Sequence, residues 1–532
     1  MLKKIAIVLF MTLLLVGLCS NVFAADKHTT TSSINGVTAT WEYELNDSNE
    51  VVFLVCKNPT DLSGKLVIPS SIDGKPVKSL GYHAFENATG LTSIEVPASL
   101  TGDCPSYPFE GCSNITEVKF DDGIKEIPAF LCGKLTGITE VTFPNSVTYI
   151  DAYAFANCTN LSTINWGTGI EHIGINAFQD CTSLTALRIP ESLTKDCGNH
   201  PFEGCSNITT VEFEDGISKI PAFICQDLTG ITEVTIPDSA KEIGAYAFGG
   251  CTKLANVDFG NGVEILHIDA FQDCTSLTSL KFPKSLSRDC GNHPFEGCSN
   301  ITKVEFEDGI TQIPAFICED LTGLTDFNIP DSVTRIGAYA FKGCSSIEKD
   351  IVMPVNTVNI GIEAFTDCPK IKKVTFLGDI KNMGWGEDND VAGDSIFKNH
   401  NSDLTFYCYE GSIPAKYAIN FNIKYEYIPR TGSNPTPTNT NTRNTSNTNY
   451  MNNTNTNTNL NNNNTRNTNN TNNTNSRGNT NLKNNTTQPD NTTASGVLPK
   501  TGSATVKVFI FVVIAVVGTV SYKRYREINK YL

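Results

Sequence analysis

The sequence of 532 residues predicts a repeat solenoid, with a parallel β-sheet on one face and short irregular or 3-10 returns on the other. Two observations support this fold class. Phenylalanine recurs at spacings of 24, 21, 25 and 23, and the order then repeats, so units of about 23 residues form blocks of 93. Residues 196–209 and 289–302, one block apart, are identical. The recurring residues are Phe85, Phe109, Phe130, Phe155, Phe178, Phe202, Phe223, Phe248, Phe271, Phe295, Phe316, Phe341, Phe365 and Phe397.

Each unit divides into an extended segment and a tight return. In the extended segment, apolar residues alternate with polar ones, as in Leu91-x-x-Ile94-x-Val96, which indicates a strand with one buried face. Proline often ends the segment, as at Pro97, because it cannot continue the hydrogen-bonded ladder. The return, typified by residues 150–158, directs Ile, Ala, Phe and Cys inward. One unit cannot bury its own apolar face, so stacked units are expected to share one core.

This combination of strand, proline and Ala-Phe-x-x-Cys resembles the BspA-like leucine-rich repeat family of bacterial surface proteins, over about residues 51–428. The resemblance implies a leucine-rich repeat array at 57–400, between an N-terminal cap hairpin at 25–56 and a C-terminal cap at 401–430. The array lacks the asparagine that ordinary leucine-rich repeats place after the strand, so their horseshoe curvature is not implied.

The N-terminus has the features of a secretory signal peptide at residues 1–24. Lys3 and Lys4 precede an apolar run at 5–18, and small residues lead to Ala24. The apolar run is shorter than the roughly 20 residues needed to span a membrane, which argues against an N-terminal anchor. Cleavage after Ala24 would remove Cys19. We therefore expect an exported protein.

The C-terminus resembles the Gram-positive cell-wall sorting signal. Residues 498–502 match its Leu-Pro-x-Thr-Gly motif, and an apolar span and a basic tail follow at 503–532. The resemblance implies that sortase recognises the motif, cleaves after Thr501 and joins that residue covalently to peptidoglycan. Residues 431–497, rich in Asn and Thr, have almost no apolar side chains to bury, so we expect a disordered stalk. The motif residues are Leu498, Pro499, Lys500, Thr501 and Gly502.

Cysteine and histidine suggest a metal site at Cys197-x-x-His200-x4-Cys205, which recurs from Cys290 with His293. Alignment of the units argues against this reading, because Cys197 occupies an inward isoleucine position and the histidine faces outward. We expect no metal or other cofactor. Two readings of the cysteines stay open: buried free thiols, or local disulfides within an exported protein. The candidate pairs are Cys104–Cys112, Cys197–Cys205 and Cys290–Cys298.

The acidic segment at 387–394 could bind calcium, but Ala392 occupies a position where the calcium-loop pattern needs an oxygen ligand. A solvated insertion between units explains the segment better. The chain also lacks the nucleophile, phosphate-loop and metalloprotease motifs of common enzymes, and catalysis needs a unique constellation that a repeated unit does not supply. We therefore expect a protein that is not an enzyme.

The array offers a candidate binding face, because residues between the buried strand positions point outward in a row. The whole chain carries 40 Lys and Arg against 56 Asp and Glu, a net charge of −16, which argues against a nucleic acid partner. The row contains no aromatic residue, which disfavours carbohydrate capture. Its members are Glu95, Lys119, Thr142, Asn165, Arg188, Glu212, Thr235, Asp258, Lys281, Glu305, Asn328 and Thr375.

These features predict a secreted, wall-anchored surface protein that displays a repeat array on a stalk. The first hypothesis is an adhesin that binds a host or bacterial surface protein. The second is a structural surface or spacer protein without a specific ligand, in which the polar row is simply a solvated face.

Overall fold

The array forms a parallel β-solenoid of about 15 turns with almost no helix, which confirms the predicted fold class. The computed structural model describes residues 27–384 and 396–430. The expected signal peptide, stalk, sorting motif, basic tail and acidic segment lie outside those residues. One apolar core runs through the stack, from Trp41 in the first cap to Tyr417 in the last.

Each turn contributes one strand to a parallel sheet, called here the main ladder, in which every second side chain of strands such as Glu117–Phe120 and Thr210–Phe213 is buried. The pairing is in register except for a shift between Gly64 and Lys65, and hydrogen bonding divides the ladder into six runs. Its strands are Gly64–Val67, Leu91–Val96, Glu117–Phe120, Glu140–Thr142, Thr163–Asn165, Ala186–Ile189, Thr210–Phe213, Glu233–Thr235, Asn256–Asp258, Ser279–Phe282, Lys303–Phe306, Asp326–Phe327, Ile351–Met353, Lys373–Phe376, Thr405–Cys408 and Lys424–Tyr427.

A second ladder, which the sequence analysis did not anticipate, is built from strands of only two residues. Most of these strands end in a buried Ile that the sequence analysis had assigned to an irregular return. The second ladder is interrupted once per block, where Cys197 and Cys290 replace the isoleucine. Its strands are Glu126–Ile127, Tyr149–Ile150, His172–Ile173, Lys219–Ile220, Glu242–Ile243, Ile265–Leu266, Gln312–Ile313, Arg335–Ile336, Asn359–Ile360 and Asn382–Met383. The rest of each return consists of consecutive turns rather than 3-10 helix.

The core contains a column of stacked phenylalanine rings, but three of the recurring phenylalanines lie outside it. Phe155, Phe178 and Phe202 stack with centroid separations of 5.2 and 5.3 Å. Phe130, by contrast, is half-buried and stacks 5.1 Å from Tyr153 on the outer side of the return. Phe223 and Phe316 stack in the same way on Tyr246 and Tyr339. The expectation that the recurring phenylalanine of each return points into the core was therefore wrong in these three turns.

Cysteine fills the column where phenylalanine is missing. Cys132 donates its N–H to Ala154, as Phe155 donates to Ala177 one turn later, and Cys225 and Cys318 repeat this bond. With these cysteines counted, the spacing from Phe85 to Phe365 is 23 or 24 residues throughout, because the apparent 21 and 25 came from aligning the wrong phenylalanines.

Caps close both ends of the core. The N-terminal cap is a three-stranded antiparallel sheet, one strand more than the predicted hairpin, formed by His28–Ile34, Val37–Leu45 and Val51–Cys56. A small hairpin, Ser71–Ile72 with Lys75–Pro76, follows it, and the 3-10 helix Pro59–Asp61 lies between. At the other end the α-helix Ile413–Asn420 begins at Ser412, whose Oγ accepts a hydrogen bond from the Ala415 N–H.

Candidate binding face

Five pairs of the predicted outward row lie directly opposite each other on neighbouring strands of the main ladder. Each pair joins successive strands, which in such a ladder are about 4.8 Å apart. Nine of the twelve predicted residues are exposed, and the other three, Glu95, Asn328 and Thr375, are half-buried. The opposed pairs are Glu95–Lys119, Thr142–Asn165, Arg188–Glu212, Thr235–Asp258 and Lys281–Glu305.

Several charges of this face are already paired within it. Glu95 binds the ammonium group of Lys65, which holds the pKa of the Glu95 carboxyl below its usual value, and Lys119 lies 4.0 Å from the same carboxylate. The Arg188 Nε lies 3.1 Å from Glu214 Oε1. Exposed ion pairs of this kind contribute little to stability, so their groups stay available to a partner.

Asn328 has a structural role that the sequence did not indicate. Its Nδ2 donates to the carbonyl of Phe306 at 2.9 Å, and its Oδ1 accepts from the N–H of the same residue at 2.7 Å. The side chain thus continues the ladder where the strand Asp326–Phe327 has ended. Because these hydrogen bonds occupy its amide, Asn328 is a poor candidate for contact with a ligand.

A groove of about 660 Å³ opens on the outward face beside Asn328, where the main ladder is interrupted. The next unit has one extra residue, since three residues separate Ile347 from Ile351 where the units on either side have two, as between Leu324 and Phe327. Lys349, in this insertion, reaches back to Asp326 at 2.8 Å. The charged residues that line the groove are Lys281, Lys303, Glu305, Glu307, Asp308, Asp326 and Lys349.

The groove presents charges of both signs around a shallow apolar base. Phe327 is 4% exposed, and the Lys349 ammonium lies 5.4 Å from its ring centroid. The Lys349–Asp326 ion pair holds the pKa of the Asp326 carboxyl below its usual value. Lys281, at the rim, forms no salt bridge within residues 27–384 and 396–430. A mixed-charge groove of this kind suits a polar segment of a protein partner.

The structure adds four residues to the outward row, two of them apolar: Val67, Val352, Tyr407 and Glu426, the last opposite Tyr407. Val67 lies opposite Glu95, and Val352 and Tyr407 flank Thr375. The expectation that the row has no aromatic residue was therefore wrong at its C-terminal end, where Lys373 Nζ lies 5.0 Å from the Tyr407 ring centroid. Alternation around buried Phe406 and Cys408 would have identified Tyr407 from the sequence.

The seventeen cysteines of residues 27–384 and 396–430 are all buried free thiols, so the three candidate disulfides are absent from the structure. The Sγ of Cys112 donates to the Phe85 carbonyl at 3.0 Å, and Cys205 and Cys298 donate likewise to Phe178 and Phe271. Burial raises the pKa of Cys104, Cys197 and Cys290 to about 12. Thiols in this environment are not nucleophilic.

The side chains of Cys197, His200 and Cys205 do not converge on one point where they could bind a metal ion. His200 Nδ1 instead lies 2.7 Å from Asp227 Oδ2 of the next turn, while both cysteines are buried in the core. This agrees with the inward isoleucine position predicted for Cys197.

Within the described residues, no helix is long and apolar enough to cross a membrane.

Comparison with known proteins identifies the repeat. The profile of the BspA type leucine rich repeat region matches residues 64–138, 125–231, 218–348 and 313–386, and no enzyme family is indicated. A search of curated proteins finds no match.

Three solved structures illustrate the likeness to other proteins. A leucine-rich repeat protein from Bacteroides ovatus is 22% identical, with 77% of this chain and 100% of that one covered and a TM-score of 0.42. A leucine-rich cell surface protein from Faecalibacterium prausnitzii is 20% identical, over 67% and 99%, with a TM-score of 0.30. The pneumococcal vaccine antigen PcpA is 15% identical, over 76% and 99%, with a TM-score of 0.33.

Proposed function

This chain belongs to the BspA-type leucine-rich repeat family, and from that premise we propose that it is an adhesin: a secreted, wall-anchored surface protein whose main ladder binds a protein on host or bacterial surfaces. The outward row with its groove is the observation that supports the proposal. The row presents polar and charged side chains at a regular spacing, and extended faces of solenoids are the usual binding surfaces of such proteins.

The charge pattern of this face favours a protein partner over a nucleic acid. Lys281, Lys303 and Lys349 alternate with carboxylates around the groove instead of forming a basic patch. Mixed charges give specificity and orientation to a protein–protein contact, whereas phosphate backbones require an excess of Lys and Arg.

Binding assays with the purified full chain test the adhesin proposal. We expect saturable binding to a member of a panel of host matrix proteins and bacterial surfaces. The double variant Arg188→Ser, Lys281→Ser is expected to weaken that binding at least tenfold, since both side chains belong to the outward row. Lys253→Ser is the matched control, because Lys253 is exposed on a return outside the main ladder. Equal binding by both variants would contradict the proposed face.

A structural or spacer role is the second candidate, and the internal pairing of the face is compatible with it. A purely solvated face would also contain ion pairs such as those of Arg188 with Glu214 and of Glu95 with Lys65. Absence of binding across the whole panel, with the chain folded, would support the spacer and exclude the adhesin.

Attachment to the cell wall is supported by the sequence at both ends, with the features of a signal peptide at 1–24 and of a sorting motif at 498–502. In this proposal sortase processes the motif, and Thr501 becomes linked to peptidoglycan. Thr501→Ala is expected to move the protein from the wall fraction of a Gram-positive host into the membrane and medium. Lys500→Ala is the control, because any residue is accepted at that position of the motif. An unchanged wall fraction in Thr501→Ala would contradict the attachment.

A further inference from the structure

Three side chains that could ligate one metal ion converge between two successive turns, outside the binding face. His293 lies on the first turn, and Glu319 and Asp320 lie side by side on the next. The His293 Nδ1 is 3.4 Å from Glu319 Oε2 and 3.6 Å from Asp320 Oδ2. The three potential ligand atoms all lie within 4.8 Å of one another.

Glu319 is a buried carboxylate with one unsatisfied oxygen. Its side chain is only 3% exposed, and Oε2, which faces the histidine, accepts no hydrogen bond. Lys342 lies 3.3 Å from the other oxygen, Oε1, and its ammonium is shared with Glu363 at 3.8 Å. Burial of an ionised group with an unpaired oxygen is costly, so a cation beside Oε2 would stabilise the fold.

The preceding block has the same turn without the buried charge. There Gln226 takes the place of Glu319, beside His200 and Asp227, and Gly249 takes the place of Lys342. The Gln226 Oε1 accepts a hydrogen bond from the backbone N–H of His200 at 3.3 Å. Residues 220–225 and 313–318 are identical, as are 227–230 and 320–323, so Gln226 and Glu319 differ within the same local sequence.

Two separations between the potential ligand atoms, 3.4 and 3.6 Å from His293 Nδ1, are close to those around a tetrahedral ion. Bonds of about 2.0 to 2.1 Å to nitrogen and oxygen place the ligands of tetrahedral zinc about 3.3 to 3.4 Å apart. One imidazole nitrogen with two carboxylate oxygens suits zinc and similar first-row ions, whereas calcium and magnesium prefer oxygen ligands alone. His293 and Asp320 are partly exposed, which leaves an entry path and a fourth position for water.

We propose that His293, Glu319 and Asp320 bind one Zn²⁺ or similar divalent transition-metal ion, which joins two successive turns of the solenoid. The site needs no cysteine. It is independent of the proposed binding face, since none of its residues lies in the outward row.

Metal titration of the full chain, first stripped with a chelator, tests the site. We expect one equivalent of Zn²⁺ to bind in competition with a chromophoric chelator, and Co²⁺ to give the visible absorption of a tetrahedral complex without thiolate charge-transfer bands. Glu319→Gln, which reproduces the preceding block, and His293→Ala are each expected to lower the affinity at least tenfold. Circular dichroism establishes that both variants are folded.

The preceding block offers a gain-of-site control. Gln226→Glu should create the same ligand set with His200 and Asp227, and so raise the stoichiometry from one ion to two. Failure of the parent chain to bind Zn²⁺ would overturn the proposal, as would binding that persists unchanged in both Glu319→Gln and His293→Ala. Thiolate bands with Co²⁺ would also overturn it, because they would assign the ion to cysteine.

Discussion

Cys132 occupies the place in the core column that Phe155 fills one turn later. The two residues make the same backbone hydrogen bond, to Ala154 and Ala177 respectively. The smaller side chain is accompanied by a larger one three residues on, where Leu135 replaces the cysteine found at Cys158. An ordinary turn thus packs Phe with Cys, and every fourth turn packs Cys with Leu, so part of the lost ring volume is restored within the same turn.

The opposite changes in side-chain size at Cys132 and Leu135 predict that substitutions at these two positions have coupled effects on stability. Cys132→Phe alone should overpack the turn against Leu135 and lower the free energy of unfolding by about 1 to 3 kcal/mol. The double variant Cys132→Phe, Leu135→Cys restores the ordinary pairing and should regain most of that loss. Urea unfolding of the single and double variants measures the coupling. Strictly additive effects would contradict the assignment of Cys132 to the column.

The two kinds of phenylalanine should differ in their contribution to stability. Phe178 is fully buried between Phe155 and Phe202, so Phe178→Ala should lower the free energy of unfolding by about 3 to 5 kcal/mol. Phe223 is half-buried and stacks on Tyr246, so Phe223→Ala should cost about 1 to 2 kcal/mol. Denaturant unfolding compares the two variants directly. Equal losses of stability in the two variants would contradict the placement of Phe223 outside the core column.

The cysteines should behave as protected free thiols. Burial raises the pKa of Cys112 to about 11 and that of Cys104 to about 12, so neither thiol ionises appreciably at pH 8. We expect negligible reaction of the native chain with a thiol reagent such as DTNB at that pH. In denaturant without reductant, all seventeen cysteines of the described residues should react. Six fewer reactive thiols would indicate that the three candidate disulfides form.

The main ladder could be predicted from the sequence because alternation over four or more residues identifies a strand and its buried face. The outward row followed from the same alternation, and pairs such as Lys281 with Glu305 lie opposite each other in the structure. The second ladder could not be predicted in this way, because two-residue strands such as Tyr149–Ile150 are too short to display a period.

The core column could not be assigned from the recurrence of phenylalanine alone, because every fourth turn places cysteine at the column position. Phe130 lies two residues before the column position, which belongs to Cys132, and the backbone hydrogen bonds and the burial of the side chains distinguish the two. The groove arises from a one-residue insertion before Ile351, and its shape depends on where Lys349 folds back. Such a local adjustment depends on packing between turns, so the spacing alone did not reveal it.

Asp151 should make stability fall as the pH rises through the weakly acidic range. Burial, together with the nearby Asp103 carboxylate, raises the pKa of Asp151 to about 7, while the unfolded value is about 3.9. Between these values the folded chain holds a proton that the unfolded chain has lost. The folded state is therefore favoured below about pH 4, and this advantage is lost progressively up to about pH 7.

Asp151→Asn should remove this dependence, because the amide carries no charge at any pH. Relative to the parent chain, we expect Asp151→Asn to gain about 2 kcal/mol in free energy of unfolding between pH 4 and pH 8, about half of the full shift because solvent screens a partly exposed group. Urea unfolding at a series of pH values measures the difference, with Asp122→Asn, at an exposed carboxylate, as control. Parallel pH profiles for the parent chain and Asp151→Asn would show that the Asp151 carboxyl titrates alike in the folded and unfolded chains.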